Sequence, residues 1–245
     1  PVRGFYSSVE PIFQVGLGKT TAADRVEIEW PGGKIQVLEN VPADRRLVLD
    51  IAAARPGRMP RPAPVKPLFD AVEMLNFTYQ ENDFEDFDRE RLLLHRFSRS
   101  GPCLAAGDVN GDEMDDFFVG GAAGAAGALF LQIADGAFTR IRQPALDADA
   151  RCEDAGALFF DANGDLFLDL YVVSGSNEAP AGSEVYLDRL YLNDGLGNFT
   201  RSPEALPSEA ESGSVARAFD FDGDGDADVF VGGRVVPGRF PEIPR

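Results

Sequence analysis

The chain has few of the residues that carry most nucleophilic and transition-metal chemistry: its 245 residues include one histidine, two cysteines and one tryptophan. Two cysteines are too few for a disulfide framework, and the pattern leaves open whether Cys103 and Cys152 form one bridge or stay as two free thiols. Basic residues are also in the minority, with 23 Lys and Arg against 41 Asp and Glu and a formal net charge of −18. Because phosphate binding needs a concentrated basic face, nucleic acid is not expected as a partner.

Long apolar runs are missing as well. No stretch approaches the roughly 18 consecutive apolar residues that a membrane-spanning helix needs, so no membrane span is predicted. The composition is otherwise ordinary for a globular protein, 44% hydrophobic and 26% charged, which is enough to bury a real core. The acidic excess favours metal cations or cationic surfaces as partners.

Residues 1–51 have the alternation of a small β-module. Apolar side chains alternate with charged ones from Arg25 to Trp30, and Pro31–Gly33 turns the chain into a second alternating run, which predicts a β-hairpin. A third strand is predicted over residues 45–51.

Two connecting segments follow this module. Residues 52–67 hold five prolines in sixteen positions, which predicts a linker, because neither a helix nor a sheet interior tolerates so many. Residues 68–100 mix acidic and aromatic side chains and are read as a connection that forms a short helix or an extended tie. Its expected anchors are Phe84, Phe87 and residues 92–94.

Residues 101–245 contain an internal repeat, which has to be recognised before any fold is assigned. Three segments superimpose without gaps around an initial aspartate, with offsets of 53 and 59 residues between the aspartates: they are Cys103–Gly121, Gly156–Gly175 and Ser214–Gly233. Two units continue into a second half made of an apolar strand, a glycine turn and a Phe-Thr strand. Four short strands per unit predict an all-β fold, a partial β-propeller of about two and a half blades, and we expect the remainder of a longer chain to complete it.

Each repeat carries an acidic loop with oxygen-bearing side chains at relative positions 1, 3, 5 and 9, and the third loop adds a further aspartate at position 7. Alternate residues of a tight loop can point into one cavity, and a hard cation of calcium's size takes six to eight oxygens. The candidate ligands are Asp108, Asn110, Asp112, Asp116, Asp161, Asn163, Asp165, Asp169, Asp220, Asp222, Asp224, Asp226 and Asp228.

Calcium (Ca2+) is the cation this pattern favours. Magnesium prefers a tighter octahedron with several waters, and zinc or iron would prefer His or Cys. An EF-hand is excluded because its position 12 needs a carboxylate, and Val119, Val172 and Val231 stand there. The alternative is that the loops are solvated turns, since Asp, Asn and Gly are common turn formers. Three copies in one register favour the metal, and the glycines of the third loop predict that it binds best.

At these residues the chain resembles known families. The loops followed by Phe-Val-Gly-Gly are similar to the FG-GAP/VCBS repeats of integrin α-subunit propellers and bacterial surface proteins. The segment around Trp30, Pro31 and Gly33 resembles the ASPIC/UnbV module, although Gln14–Gly18 departs slightly from its usual opening. The combination is similar to cartilage acidic protein-like secreted bacterial proteins. This resemblance implies a secreted, periplasmic or outer-surface location and calcium in the blade loops.

Two functions of different classes are compatible with the sequence. The first is a non-catalytic, calcium-stabilised scaffold for adhesion or for binding a protein or glycan ligand. The second is an accessory or catalytic part of a polysaccharide-degrading enzyme, which would need a convergent acid/base set outside the acidic loops. The sequence shows no such set, so we expect no enzymatic activity.

Overall fold

The computed structural model describes residues 12–59, 67–69, 75 and 77–244. The chain divides into two compact units, residues 1–71 and 72–245, and each is described by itself.

The first unit is built on the predicted hairpin. Strand β1 (Ala22–Trp30) pairs antiparallel with β2 (Lys34–Pro42), and Trp30 lies opposite Lys34. Gly32 and Gly33 make the turn with positive φ angles of 86° and 74°, a conformation that glycine adopts without steric cost. The hairpin is therefore as predicted.

The third strand lies later in the chain than predicted. Residues 45–50 form no strand, a 3-10 turn occupies Ile51–Ala53, and β3 (Arg55–Pro56) pairs with β2 instead. Residues 47–49 are an apolar run, but Val48 is 91% exposed and Leu47 is 38% exposed, so the predicted strand lacks a surface to pack against. Because β3 lies inside the segment predicted as a linker, the first part of that segment belongs to the sheet. Residues 60–66 of the linker lie outside the described residues, and the domain boundary at residue 51 stays a prediction.

The second unit begins with an irregular segment that contains the short helix α1 (Asp86–Arg89). Of the expected anchors, Leu93 is buried, and it packs with Phe97 and Val235. Phe87 is 37% exposed, so it is not an anchor. The main tie is polar instead: the fully buried Asp86 carboxylate accepts hydrogen bonds from the Ser98 backbone, the Ser98 hydroxyl and the side chain of a residue in the second repeat.

Two four-stranded antiparallel sheets follow, one for each complete repeat. The first contains β4 (Leu104–Gly107), β5 (Asp116–Val119), β6 (Ala128–Ile133) and β7 (Ala137–Ile141), in that order, with a 3-10 turn at Ala134–Gly136. Helix α2 (Pro144–Ala148) leads to the second, which contains β8 (Glu153–Phe160), β9 (Asp169–Gly175), β10 (Arg189–Asn193) and β11 (Phe199–Arg201), with a 3-10 turn at Glu184–Tyr186. Both sheets confirm the four predicted strands of a propeller blade.

The third repeat contributes two described strands, β12 (Ser212–Phe219) and β13 (Asp228–Val235), which pair with each other. The segment of residues 77–100 adds no strand to this sheet.

The sheets stack face to face, and β9 lies at the centre of the stack. Successive side chains of a strand point to opposite faces. Leu170 and Val172 accordingly pack into the core shared with the first sheet, whereas Tyr171 and Val173 pack into a second core that includes Ala216 of β12. All of β9 is buried, which explains its nearly continuous apolar sequence.

Candidate metal-binding loops

Each acidic loop joins the first two strands of its sheet and is folded around the carboxylate of its first residue. In the first loop, Asp108 accepts four backbone N–H groups at 2.8–3.2 Å. Asp161 repeats this arrangement at 2.8–3.3 Å. In the third loop, Asp220 accepts from Gly223 and Gly225 at 2.7 and 3.2 Å. The sequence identity of the loops therefore reflects one shared backbone turn.

The N–H donors also control the charge of the first aspartates. Burial acts to raise the pKa of Asp108, but the backbone N–H groups of Glu113 and Gly111 outweigh it and hold the pKa below its ordinary range. The pKa of Asp161 is lowered in the same way. Both carboxylates stay ionised into mildly acidic solution, as a cation ligand must.

Positions 3 and 5 face each other in the first two loops, where an amide meets a carboxylate. Asn110 Nδ2 donates to Asp112 Oδ2 at 3.1 Å, and Asn163 Nδ2 donates to Asp165 Oδ2 at 2.8 Å. In these two loops, a side-chain hydrogen bond within the loop therefore holds positions 3 and 5 together without a cation.

In the third loop a second carboxylate replaces this amide. Oxygen atoms of Asp220, Asp222 and Asp224 lie within 4.8 Å of one another, the one such group of three acidic, His or Cys side chains in the described part of the chain. An ion 2.3–2.6 Å from each oxygen would hold the oxygens at most about 5 Å apart, so this spacing fits one calcium ion. Three exposed carboxylates at this distance repel one another, and a bound cation would remove that repulsion.

The aspartates at position 9 are held differently from the others. Asp116 accepts backbone N–H groups from Val109 and Gln132 at 3.1 and 2.8 Å, and Asp169 accepts from Ala162 and Asn193 at 3.0 and 2.8 Å. Both aspartates are fully buried, and each fastens its loop to the third strand of the sheet. This structural role was not foreseen from the sequence, and their role as ligands stays a prediction.

Their counterparts in the third loop are more open. Asp228 is exposed and accepts the Phe221 N–H at 2.9 Å. The carboxylate of Asp226 does not belong to the group formed by positions 1, 3 and 5; its backbone N–H donates to Asp224 Oδ1 at 3.0 Å. Asp226 and Asp228 as ligands also stay predictions.

A left-handed residue at position 6 closes each loop. Glu113, Leu166 and Gly225 have φ angles of 66°, 71° and 99°. Side chains at such angles cost roughly 1–2 kcal/mol, a cost that glycine avoids. This backbone strain is therefore present in the first two loops, and glycine avoids it in the third.

The sequence analysis also missed a group of one buried and two half-buried glutamates away from the loops. Glu153 and Glu178 line one cavity, and Glu81 lies close enough to raise the pKa of both. No motif marks these residues, which come from separate segments of the chain. The one available signal is the pair Glu153 and Asp154 at the start of a strand whose other residues are mostly apolar.

The stacked four-stranded sheets, each with an acidic loop between its first two strands, define repeats of the β-propeller blade type. A family model described as FG-GAP-like repeat matches residues 108–172 and 161–231, and a model described as ASPIC and UnbV matches residues 1–56. The two FG-GAP-like matches together span about half of the chain, and the chain belongs to the FG-GAP-like repeat family, with an ASPIC and UnbV domain preceding the repeats. No curated protein matches the chain.

Proposed function

We propose that the FG-GAP-like repeats form a calcium-stabilised, non-catalytic binding module that acts outside the cell. The observation that carries the proposal is the third loop, where Asp220, Asp222 and Asp224 are already spaced for one cation. The first two loops have the same turn and would complete their sites with an amide oxygen at position 3.

Calcium in these loops would stabilise the stacking of the sheets. A side chain on Gly107, at the end of β4, would approach Leu168 of the second loop, so the start of the first loop lies against the end of the second. Ordering one loop therefore supports its neighbour. The ligand of the module would be a protein or a glycan.

The proposed setting is secreted, periplasmic or on the outer cell surface. FG-GAP repeats are typical of extracellular proteins. Among the described residues, no helix is long and apolar enough to cross a membrane.

A role in polysaccharide degradation is less well supported. Burial raises the pKa of Glu153 to about 8, a value useful in a general acid. However, Glu153 is only 3% exposed, so a sugar ring of a polymer cannot pack against its carboxyl group. The geometry favours binding over catalysis.

Calcium titration tests the proposal. Thermal unfolding followed in calcium, in magnesium and in chelator should show the highest melting temperature in calcium, with about 2.7 kcal/mol per site at a hundredfold excess over Kd. Asp224→Ala should remove more of this gain than Asp112→Ala or Asp165→Ala, and Glu204→Ala, an exposed residue outside all three loops, serves as the control. Equal melting temperatures in calcium and chelator, with no heat of binding, would show that the loops are solvated turns.

A further inference from the structure

A cavity of about 160 Å³ lies apart from the acidic loops, where β8 begins and β9 ends. Its walls combine polar and apolar side chains from three segments of the second unit: Ala123, Arg151, Glu153, Ser176, Glu178, Ala179, Val185 and Tyr186. We call it the glutamate cavity.

The two glutamates that line this cavity, Glu153 and Glu178, and their neighbour Glu81 share one arrangement, in which one oxygen is fixed by a donor. Glu153 accepts the Ala123 N–H at 3.1 Å, Glu178 accepts from the Asn82 side chain at 2.5 Å, and Glu81 accepts from the Tyr79 hydroxyl at 3.0 Å. These bonds hold the carboxyl groups in place.

The other oxygen of each glutamate is buried and has no hydrogen-bond partner. This holds for Glu153 Oε1, Glu178 Oε1 and Glu81 Oε2, and also for the Ser176 hydroxyl. Glu153 and Ser176 are only 3% and 7% exposed. Buried polar groups without partners are rare because each costs about 1–3 kcal/mol, and they point to a ligand that supplies donors.

A cation bound in the cavity would favour the ionised form of these carboxyl groups and offset the cost of their burial. Burial is the main cause that raises the pKa of Glu153 and of Glu178, and Glu81 raises both further, whereas Arg99 acts to lower the pKa of Glu178. Arg151 lines the cavity, but its guanidinium lies 3.5 Å from Glu184 and is largely exposed.

The spacing identifies the kind of cation. The three glutamates do not bring one oxygen each within 4.8 Å of one another, as a single metal ion would require. A guanidinium or ammonium group can bridge more distant oxygens, because its several N–H donors each reach about 2.7–2.9 Å in different directions. The apolar walls formed by Ala179, Val185 and Tyr186 suit the methylene stem that carries such a group.

We propose that the glutamate cavity binds a guanidinium or alkylammonium group, supplied either by a free small molecule or by an Arg or Lys side chain of a partner protein. The site is independent of calcium in the acidic loops, since it shares no residue with them.

Isothermal titration of the full chain in chelator tests this site without metal in the loops. The probes are free L-arginine, a Gly-Gly-Arg-Gly-Gly peptide and the same peptide with citrulline, which keeps the shape of arginine but lacks its charge. The arginine peptide should bind and the citrulline peptide should not. Equal binding of free arginine and the arginine peptide identifies a small molecule as the source, and tighter binding of the peptide identifies a partner side chain.

Three variants locate the binding. Glu153→Gln and Glu178→Gln should each weaken affinity at least about tenfold, because each removes one partner of a buried charge pair. The exposed Glu204→Gln should leave affinity unchanged. Gln keeps an oxygen for the donor that holds each Glu, and two variants are used so that one unfolded protein does not decide the result.

Several results would overturn the proposal. One is that neither arginine probe binds, and another is that the citrulline peptide binds equally well. A third is that both cavity variants keep the affinity of the unmodified chain. The fourth is that the cavity variants abolish binding of calcium and of no other ligand.

Discussion

Position 3 is where the acidic loops differ most in chemistry. Asn110 and Asn163 each donate a hydrogen bond to the aspartate at position 5, whereas Asp222 adds a third negative charge to Asp220 and Asp224. An amide lowers repulsion when no cation is bound, and a carboxylate increases attraction when one is. One residue therefore sets the balance between stability without calcium and affinity for calcium.

Exchanging the residues at position 3 should exchange these properties. Asp222→Asn should raise the free energy of unfolding in chelator by up to about 1 kcal/mol, since it removes one like charge from an exposed group, and it should weaken calcium binding. Asn110→Asp should do the opposite in the first loop. Urea unfolding in chelator and calcium titration of both variants provide the measurements. If both substitutions shift calcium affinity in the same direction, position 3 is not a ligand.

At the scale of the strands, an apolar pattern in the sequence was not by itself enough to predict an element. The sequence identified β9 correctly, because its apolar residues are buried on both faces between neighbouring sheets. The apolar run at residues 47–49 meets no such surface, and Val48 remains exposed. Whether a run finds a partner depends on contacts distant in sequence, which local pattern does not encode.

The same limit applies to the candidate sites. The loops could be predicted because their residues are close in sequence and repeated three times. The buried positions of Asp86 and Glu153 could not be predicted, because residues that interact with them come from segments tens of residues away. The buried role of Asp116 was missed because one of its donors, Gln132, belongs to another strand.

The contact between the second and third sheets depends on close approach at Gly213. A Cβ there would lie 2.3 Å from Val173 Cγ1, and valine has little rotamer freedom to move away. Gly213→Ala should therefore destabilise the fold by about 1–3 kcal/mol in urea unfolding. Gly232→Ala is the matched control, since its Cβ would meet Val215 at 3.2 Å, a contact that a small shift relieves. Equal effects of the two substitutions would argue against tight packing at Gly213.

At the scale of the whole chain, the proline-rich segment provides a test of domain organisation. Its basic residues Arg55, Arg61 and Lys66 precede proline, so Arg58–Met59 is its one bond open to trypsin. We expect limited trypsin digestion to cut there first and to release the ASPIC and UnbV domain with β3 attached. Mass spectrometry of the first fragments gives the answer. Primary cleavage inside β1 or β2 would contradict a separate folding unit.

The response of the whole chain to pH should contain opposing contributions from its carboxylates. Those of Asp108 and Asp161 have lowered pKa values, so their stabilising N–H contacts are present at neutral pH and are lost only as the pH falls through those values. Glu153 behaves in the opposite way, because burial and the nearby Glu81 and Glu178 raise its pKa to about 8.

Glu153 should therefore make the folded protein less stable as pH rises from about 4.3, the pKa of an unfolded glutamate, to about 8. In this window the folded chain holds a proton that the unfolded chain has released, so the free energy of unfolding falls with pH, in total by on the order of a few kcal/mol. Glu153→Gln should flatten this fall in urea unfolding measured in chelator from pH 5 to 8, whereas Glu204→Gln should not. An unchanged slope in Glu153→Gln would mean that the carboxyl group ionises at its ordinary pKa despite its burial.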